Sequence, residues 1–270
     1  MSDDLDAASI GAALRGRFGA PLTFVDVLPS TNDLAMRRLL EDDVPEGALV
    51  VADHQTGGRG RRGREWWSEP GKLLQFSLVL RPQLAPESLG LLTTALGVAC
   101  AAGIETATGL ACDLRWPNDV TAGGLKLAGI LVESVLGGQS APVRAVAGLG
   151  VNVHWRAGEI PHALSGRATS VRAELDRRGS SEMPRRAEML AEILARFESL
   201  YGSLGRDESV VELACARSEV IGRRVVVAYP DGRSLEATAV GITSSGALQI
   251  ELDGEVRAIS VGEIARLDPR

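Results

Sequence analysis

The strongest constraint on the fold lies in about the last fifty residues, where short strand-like runs begin abruptly at Val220. The runs are RRVVVAY, RSLEATAVGI, ALQIEL and EVRAIS, and they are separated by Asp231-Gly232, Ser245-Gly246 and Asp253-Gly254. Such dipeptides favour tight hairpin turns, because glycine adopts a positive φ at little cost. Consecutive short strands joined by tight turns pair with their neighbours. This part of the chain is therefore predicted to form a small antiparallel barrel or sandwich.

The preceding residues show longer patterns of both helical and strand type. Apolar spacing predicts helices over residues 5–18, 33–40, 89–106 and 185–204, and a short helix ending near residue 218. Strands are predicted over residues 48–52, 73–80, 114–116, 127–135 and 143–153, with a hairpin signal, GGQS, between the last two. Residues 155–184 carry no clean pattern beyond one or two helical turns. We therefore expect an α+β protein, with residues 1–218 as a first domain and residues 219–270 as a second.

Charge and composition argue against several classes of protein. The 270 residues hold 29 Lys and Arg against 35 Asp and Glu, and this net charge of −6 argues against general binding to nucleic acid or anionic lipid. The start, MSDDLDAAS, lacks the apolar segment of a secretory signal, and no run approaches the roughly 18 apolar residues of a membrane span. Cys100, Cys112 and Cys215 lie far apart in apolar settings, which is typical of buried free thiols in a reducing compartment. We expect a cytoplasmic protein without a membrane partner.

One stretch concentrates positive charge in this acidic chain. It is GGRGRRGREWW, residues 57–67, called the basic loop below, and its first eight residues are four glycines and four arginines. Glycines supply backbone mobility and accessible N–H groups, and guanidinium groups match phosphate and carboxylate oxygens two at a time. The loop lacks the Gly-Lys-Ser/Thr of a P-loop. By itself it is compatible with a solvated surface loop, a phosphate site or a nucleic-acid contact.

Three further stretches carry chemistry that is ambiguous when each is taken alone. RWPND, residues 115–119, places a cation, an aromatic ring and an amide–acid pair at a strand end, which suits a nucleotide or metal site but also a plain turn. Lys126 stands directly before an apolar strand, either as a surface lysine or as a fixed charge for an anion. Gly148 and Gly150 lie in a central-looking strand, where glycine is unfavourable unless a flat group approaches the backbone closely.

The order of these stretches is far more specific than any one of them. STN at residues 30–32, QTGGRGRRGREW at 55–66, RWPND at 115–119, KLAGILVE at 126–133 and GLGVNV at 148–153 together resemble the bacterial biotin protein ligases, over about residues 23–270. The resemblance implies a mixed-sheet catalytic domain, related to class II aminoacyl-tRNA synthetases and lipoate ligases, followed by an SH3-like β-barrel. It also implies an enzyme that uses ATP and Mg²⁺ to join biotin to one lysine of a biotin carboxyl carrier domain, by way of biotinyl-5′-AMP.

The resemblance also assigns roles to individual residues. The catalytic residues are Lys126, expected to contact the biotin carboxylate and the α-phosphate, and Arg61, expected to cover the intermediate. The residues expected at biotin are Ser30, Thr31, Asn32, Gln55, Gly58, Arg59, Arg61, Lys126, Gly129 and Gly148. Those expected at ATP are Arg61, Arg64, Trp66, Arg115, Asn118, Asp119, Lys126, Ile130 and Asn152, with Asp119 also a ligand of Mg²⁺.

Two departures from the family pattern qualify these expectations. Arg115 stands where the family usually has lysine, and a planar guanidinium is not equivalent to an ammonium at a phosphate site. Only about twenty residues precede the catalytic domain, too few for the winged helix-turn-helix of repressing members, so we expect no DNA binding and a monomer or weak dimer. Three alternatives stay open: a lipoate or octanoyl ligase, a nucleic-acid-binding module led by the basic loop, and a catalytically inactive homologue.

Overall fold

Two β-sheets form on either side of the point where the sequence changes texture. A computed structural model of the chain describes residues 4–41, 44–135 and 143–267. The first sheet has seven strands, all before residue 153, and the second has five strands, all after residue 223. Within these residues both the α+β class and the small antiparallel module at the end of the chain are confirmed.

The helices and strands have the following bounds. The first sheet consists of β1 (Leu22–Leu28), β2 (Leu49–Gln55), β3 (Leu73–Leu80), β4 (Asp113–Arg115), β5 (Asp119–Ala122), β6 (Leu125–Val135) and β7 (Arg144–Asn152). The second consists of β8 (Arg224–Ala228), β9 (Ser234–Ile242), β10 (Leu248–Leu252), β11 (Glu255–Ile259) and β12 (Glu263–Leu267). The helices are α1 (Ala7–Ala13), α2 (Thr31–Glu41), α3 (Gly90–Thr108), α4 (Val171–Arg177), α5 (Arg186–Ser203) and α6 (Ser209–Ala216).

The first sheet is mixed and the second is antiparallel. The strand order is β1-β2-β3-β7-β6-β5-β4 in the first and β11-β10-β9-β8-β12 in the second. Only β1 and β2 run parallel among the pairs in these sheets. The predicted pairing of β6 with β7 is confirmed, and the GGQS turn between them lies outside the described residues.

Most predicted elements are present, and three strands were missed. These are β1, which is mostly half-exposed, β5, which has four residues, and β12, which has two charged residues among its five. The first predicted helix is shorter than expected, because the chain turns through positive φ at Gly16 and Gly19 soon after α1. The segment 155–184 contains α4, which agrees with the predicted helical turns.

The strands of the first sheet are covered on both faces, which explains their apolar sequences. In β2, Leu49 and Val51 join the main core with α3 and α5, whereas Val50 joins a smaller core with Leu39 of α2. Alternate residues of a strand point to opposite faces, so α2 lies on one side of the sheet and the other helices lie on the opposite side.

One helical stretch, Pro86–Thr108, is long and apolar enough to cross a membrane by length and composition alone. Within it α3 is largely buried against α5, as the core helix of a sheet protein is. The two helices approach closely at Gly103, where a Cβ would lie 2.7 Å from Ile193 Cγ1. Its apolar sequence is therefore accounted for by packing inside the protein.

Trp116 connects the two sheets. It lies in the turn between β4 and β5, yet its ring packs in the core of the second sheet, and its Nε1 donates to the carbonyl of Gly246 at 3.2 Å. Beside it Arg115 pairs with the buried Glu219, whose Oε2 also accepts from Thr121 Oγ1 at 3.0 Å. These contacts hold the second sheet beside the edge of the first.

The start of the described chain is held by a buried arginine. Arg186 is 1% exposed and pairs with Asp4 and with Asp53, at 2.7 Å in each case. Burial alone would raise the pKa of Asp4, but His154 and Arg186 outweigh this effect and hold that pKa well below its usual range. Asp4 therefore carries a negative charge that stabilises the folded state.

Candidate active site

A cavity of about 700 Å³ lies at the edge where β5, β6 and β7 meet the basic loop and β12. This volume is in the range of small-molecule sites. Every residue that sequence reasoning assigned to a ligand lines this cavity, with the exception of Gly58. Motifs that are separated by more than a hundred residues thus come together around one space.

A buried polar network forms the wall below the start of α2. Gln55 Oε1 accepts from the backbone N–H of Thr31 at 2.7 Å and from its hydroxyl at 3.0 Å. Gln55 Nε2 donates to Gln75 Oε1 at 2.8 Å. Ser30 Oγ accepts from the backbone N–H of Asp33 at 3.3 Å, which confirms the predicted N-cap. Because each group already has a partner, the network presents polar atoms in fixed positions.

Asn32 extends this network toward β6. Its Oδ1 accepts from Ser77 Oγ at 2.5 Å, and its Nδ2 donates to Leu131 O at 3.2 Å and to Glu133 Oε2 at 2.8 Å. Ser77 and Gln75 were missed by sequence reasoning, as was Glu133. A signal existed for the first two, because they are polar residues two apart in the otherwise apolar run LLQFSLVL.

Lys126 and Asp119 form the charged end of the cavity. Lys126 Nζ lies 2.6 Å from Asp119 Oδ1 and 5.7 Å from the centroid of the Trp66 ring, a cation–π distance. The register explains this contact, because β5 and β6 pair antiparallel and Thr121, two residues from Asp119, lies opposite Lys126. On its other side, the backbone of Lys126 is bonded to residues 167 and 169, so the irregular segment 155–184 supports this lysine.

Asn118 joins the basic loop to β6. Its Nδ2 donates to Ile130 O at 2.8 Å, and its Oδ1 accepts from Arg61 Nη1 at 3.4 Å. Burial lowers the pKa of Arg61; Glu263 opposes this shift, and the like charges of Arg62 and Arg64 add to it. Arg61 is therefore a cation in an environment where an additional anion would be stabilised.

A pair of glycines forms the floor of the cavity. Gly129 of β6 lies opposite Gly150 of β7. A Cβ at Gly150 would lie 2.7 Å from Trp66 Nε1, and a Cβ at Gly129 would lie 3.0 Å from Trp66 Cζ3. The predicted flat group is thus present at Gly150, where it is the indole of Trp66, whereas the group close to Gly148 is the Asn32 side chain. Within the described residues, this indole Nε1 is buried without a hydrogen-bond partner.

The basic loop is folded back on itself. Gly60 N–H donates to Arg64 O at 2.6 Å, and Trp66 N–H donates to Gly58 O at 2.9 Å. Gly58 belongs to the base of the loop, where a Cβ would lie 3.3 Å from the Trp66 Cβ, and this explains why it does not line the cavity. Residues Arg61–Gly63 form one 3₁₀ turn, with Arg62 at φ 58°.

Two expected ligand contacts have other partners in this structure. The Arg115 guanidinium pairs with Glu219 and donates from Nη2 to Gly124 O at 2.8 Å, so the departure from lysine coincides with a role in joining the two sheets. Asn152 Nδ2 donates to Thr169 O at 2.9 Å. Both residues still line the cavity, but their polar groups are engaged within the protein.

The residues present place limits on a metal site. Across residues 4–41, 44–135 and 143–267, no group of three or more His, Cys, Asp or Glu side chains is arranged to hold a metal ion. Asp119 faces the cavity as a single carboxylate beside Lys126. One carboxylate fits Mg²⁺ bound largely by water and substrate phosphates, and it does not fit a metal held by protein ligands alone.

Comparison with known proteins identifies similar sequences over most of the chain. The model of the Biotin/lipoate A/B protein ligase family matches residues 24–152, and that of the Biotin protein ligase C terminal domain matches residues 220–267. A bifunctional ligase/repressor BirA of Bacillus spizizenii is 39% identical over 184 residues, which are 68% of this chain and 54% of that protein. A biotin–[acetyl-CoA-carboxylase] ligase of Mycobacterium tuberculosis is 33% identical over 244 residues, 88% of this chain and 86% of that protein. This chain thus spans about half the length of the first relative and most of the second.

Solved structures with a similar fold include biotin protein ligases. A biotin protein ligase from Aquifex aeolicus in complex with biotin and ATP has a TM-score of 0.74 and 28% identity, covering 91% of this chain and 98% of that one. The likeness confirms the expected α+β fold, with a mixed sheet and a C-terminal antiparallel sheet consistent with an SH3-like module.

Proposed function

The chain belongs to the biotin protein ligase family, and on this premise we propose that it uses ATP to join biotin to a lysine of a biotin carboxyl carrier domain. The observation that carries the proposal is the position of Lys126. Its ammonium lies in a cavity of about 700 Å³, beside the glycine floor and the Trp66 ring, and the fixed polar network lies further along β6 in the same cavity. Such a cavity suits a small polar ring joined through a carboxylate to a nucleotide.

The first step of the proposed reaction brings two anions together. A biotin carboxylate oxygen attacks the α-phosphorus of ATP, a new O–P bond forms, and the bond to the bridging oxygen of pyrophosphate breaks. The reacting anions repel each other unless fixed cations lie between them, and preorganised charge is the larger contribution in such sites. Lys126 and Arg61 supply that charge, and Asp119 holds the Lys126 ammonium in position before the substrates arrive.

The second step transfers the acyl group. The neutral amine of the acceptor lysine attacks the carbonyl carbon of biotinyl-5′-AMP, a C–N bond forms, and the C–O bond to AMP breaks. The nitrogen loses one proton to water, and AMP leaves as an anion. The carrier domain must reach the open side of the cavity, where Trp67 and Arg64 are exposed.

The ends of the cavity suit the two substrates. The network of Ser30, Thr31, Asn32 and Gln55 offers donors and acceptors for the ureido ring of biotin. The Trp66 ring, which lies on the floor at Gly129 and Gly150, suits the adenine ring. The remaining residues proposed for the nucleotide are Arg64, Arg115, Asn118, Ile130 and Asn152. Arg115 and Asn152 must exchange a present partner for substrate.

Mg²⁺ belongs to the proposal as a companion of ATP. Asp119 is the residue proposed to hold it, together with the substrate phosphates and water, because its carboxylate faces the cavity. When bound, Mg²⁺ neutralises charge on the phosphate oxygens. Lys126 and Asp119 are paired in this structure. Binding of Mg²⁺ would draw Asp119 toward the substrates, and binding of the biotin carboxylate would draw Lys126.

The remaining expectations concern the setting of the reaction. We propose a cytoplasmic enzyme whose partner is the carrier domain, acting as a monomer or weak dimer without DNA or membrane. The three cysteines are free thiols, which agrees with a reducing compartment. Three of the loop arginines, Arg59, Arg62 and Arg64, pair with carboxylates of the chain itself. The basic loop therefore does not present a free basic face for nucleic acid.

Incubation with biotin, Mg·ATP and a carrier domain, followed by intact mass, tests the proposal, and a gain of one biotin per acceptor is expected. Lys126→Ala should nearly abolish adenylation, whereas Lys72→Ala, at a lysine that pairs with Glu159 away from the cavity, is the matched control. Adenylation at the wild-type rate in Lys126→Ala would contradict the assigned role. Thermal stabilisation by lipoate in place of biotin would favour the lipoate alternative.

A further inference from the structure

Glu263 is one of three acidic residues in the cavity wall, with Glu65 and Asp119, and cations are more numerous there. It begins β12, so the second sheet contributes it, and its side chain is 20% exposed. A carboxylate at this place repels a triphosphate. Neither step of the proposed reaction uses Glu263, so its position calls for another explanation.

Within the described part of the chain, the ion pairs of Glu263 are with arginines of the basic loop. Its Oε1 pairs with Arg64 Nη2 and lies 3.8 Å from Arg62 Nε. Arg62 Nη2 also lies 3.4 Å from the backbone carbonyl of Ala228, in the adjacent strand β8. The second sheet thus holds the end of the loop that leads to Trp66.

The other end of the loop is held in the same manner by the first sheet. Arg59 Nη2 pairs with Asp33 and with Glu133 Oε2, the latter at 3.0 Å. Arg61 is the one loop arginine that has no carboxylate partner within the described residues, and it reaches the amide of Asn118. Arg59, Arg62 and Arg64 therefore fasten the loop to the two sheets, whereas Arg61 contacts Asn118 in the cavity wall.

We propose that Glu263 is a positioning residue that holds the basic loop over the cavity through Arg64 and Arg62, and that this hold slows escape of the activated intermediate. The first part concerns the empty protein and depends on no substrate. The second part rests on the proposed function, since it requires that an adenylate forms. The C-terminal sheet thereby contributes to selectivity without touching the reacting atoms.

Hydrogen exchange of the loop in the protein without substrates tests the first part. The amides of Gly60, Arg64 and Trp66 are hydrogen-bonded inside the loop and report its opening. Glu263→Gln keeps the shape of the side chain and removes its charge. We expect exchange to quicken about two- to tenfold, the range for a half-buried ion pair. The control is Glu236→Gln in β9, which removes a carboxylate paired with Arg266 and Arg224 away from the cavity.

A double-variant cycle separates a specific contact from general loosening. Arg64→Gln should also quicken exchange, and the variant carrying both substitutions should exchange no faster than Glu263→Gln alone, since both remove the same contact. Unchanged exchange in Glu263→Gln, or effects that add in the double variant, would overturn the proposal. Two measurements show whether the global fold is intact. Circular dichroism gives the melting temperature of each variant, and hydrogen exchange in α3 and β7 reports on the core. Global loosening would lower the melting temperature and would also quicken exchange in these two elements.

Labelling of a bystander protein tests the second part. With biotin and Mg·ATP but no carrier domain, Glu263→Gln should biotinylate added serum albumin several-fold faster than wild type. The chain itself contains only two lysines, Lys72 and Lys126, so labelling is measured on the albumin. Faster loop exchange with unchanged albumin labelling would overturn the retention role. Absence of any adenylate in the wild type would refute the proposed function and leave the exchange result to decide the loop contact.

Discussion

We expect one added methyl group to have different effects at two neighbouring glycines of β7. In Gly148→Ala, the new Cβ would lie 2.9 Å from Asn32 Cγ and closer still to its Oδ1. In Gly150→Ala, it would lie 2.7 Å from Trp66 Nε1. The first obstacle is a buried side chain fixed on three sides, and the second is a ring on a surface loop.

The magnitude at Gly148 follows from the bonds that Asn32 must give up when it moves aside. These are the bonds to Ser77, to the Leu131 carbonyl and to the Glu133 carboxylate. Two neutral bonds contribute about 1 kcal/mol each and the charged one about 2 kcal/mol. Replacing glycine by alanine in a strand restores about 0.4–1 kcal/mol of stability, because alanine lowers the conformational entropy of the unfolded chain. Gly148→Ala should therefore lower the free energy of unfolding by about 3 kcal/mol.

Gly150→Ala should behave differently. The Trp66 ring can lift with its loop, so the loss of its contact and the gain from replacing glycine nearly cancel, and stability should stay within about 1 kcal/mol of wild type. Affinity for ATP should fall instead, because the added methyl group displaces the Trp66 ring that is proposed to contact adenine. Guanidinium unfolding followed by circular dichroism measures the first effect, and calorimetric titration with ATP measures the second.

The comparison also has a clear refuting outcome. If Gly148→Ala is as stable as wild type, Asn32 is not fixed as described, and the polar network is softer than its hydrogen bonds indicate. If both variants lose the same stability, the basic loop is as rigid as the core, and the account of Trp66 fails.

Other predictions follow from buried groups. Trp116→Ala should lower the free energy of unfolding by about 3–5 kcal/mol because it leaves a cavity. The control is Trp67→Ala, at a ring 43% exposed, which should change this free energy by about 0.5 kcal/mol or less. Equal losses of stability in urea unfolding would contradict the burial of Trp116. Asp4→Asn should be less stable than wild type above about pH 4, and the difference should shrink as the pH falls, because a carboxylate with a depressed folded-state pKa loses its stabilisation on protonation; parallel stability–pH curves would contradict this. Burial raises the pKa of the Cys112 thiol to about 12, so iodoacetamide at about pH 8 should label it only after unfolding, as intact mass will show.

Long elements with a clear period were predictable from the sequence. β3 and α5 were confirmed within a residue or so of their predicted ends, because their apolar residues follow the period of a strand or a helix over many positions. β5 and β12 were not predictable, since short strands with charged residues carry no period of their own. Their place depends on neighbours: β5 on its pairing with β6, and β12 on its pairing with β8.

The cavity was predictable from the order of motifs, but its internal contacts were not. Lys126 was assigned its role through the family resemblance, because a lysine before an apolar strand is commonly a surface residue. Its pairing with Asp119 depends on the register of two strands. Glu263 shows the limit most clearly. It lies about two hundred residues from the arginines that it contacts, and no local pattern relates a charged residue in a late strand to a glycine-rich loop near the start.

Trp116 has a consequence for recombination between relatives. Its ring belongs by sequence to the turn between β4 and β5, but it completes the core of the second sheet and bonds to the Gly246 carbonyl. A chimera joined near residue 219 would keep every strand of both parents and still separate this ring from the pocket shaped for it. Exchange of C-terminal modules must therefore transfer the β4–β5 turn as well, so the unit that can be shuffled is defined in space and is discontinuous along the chain.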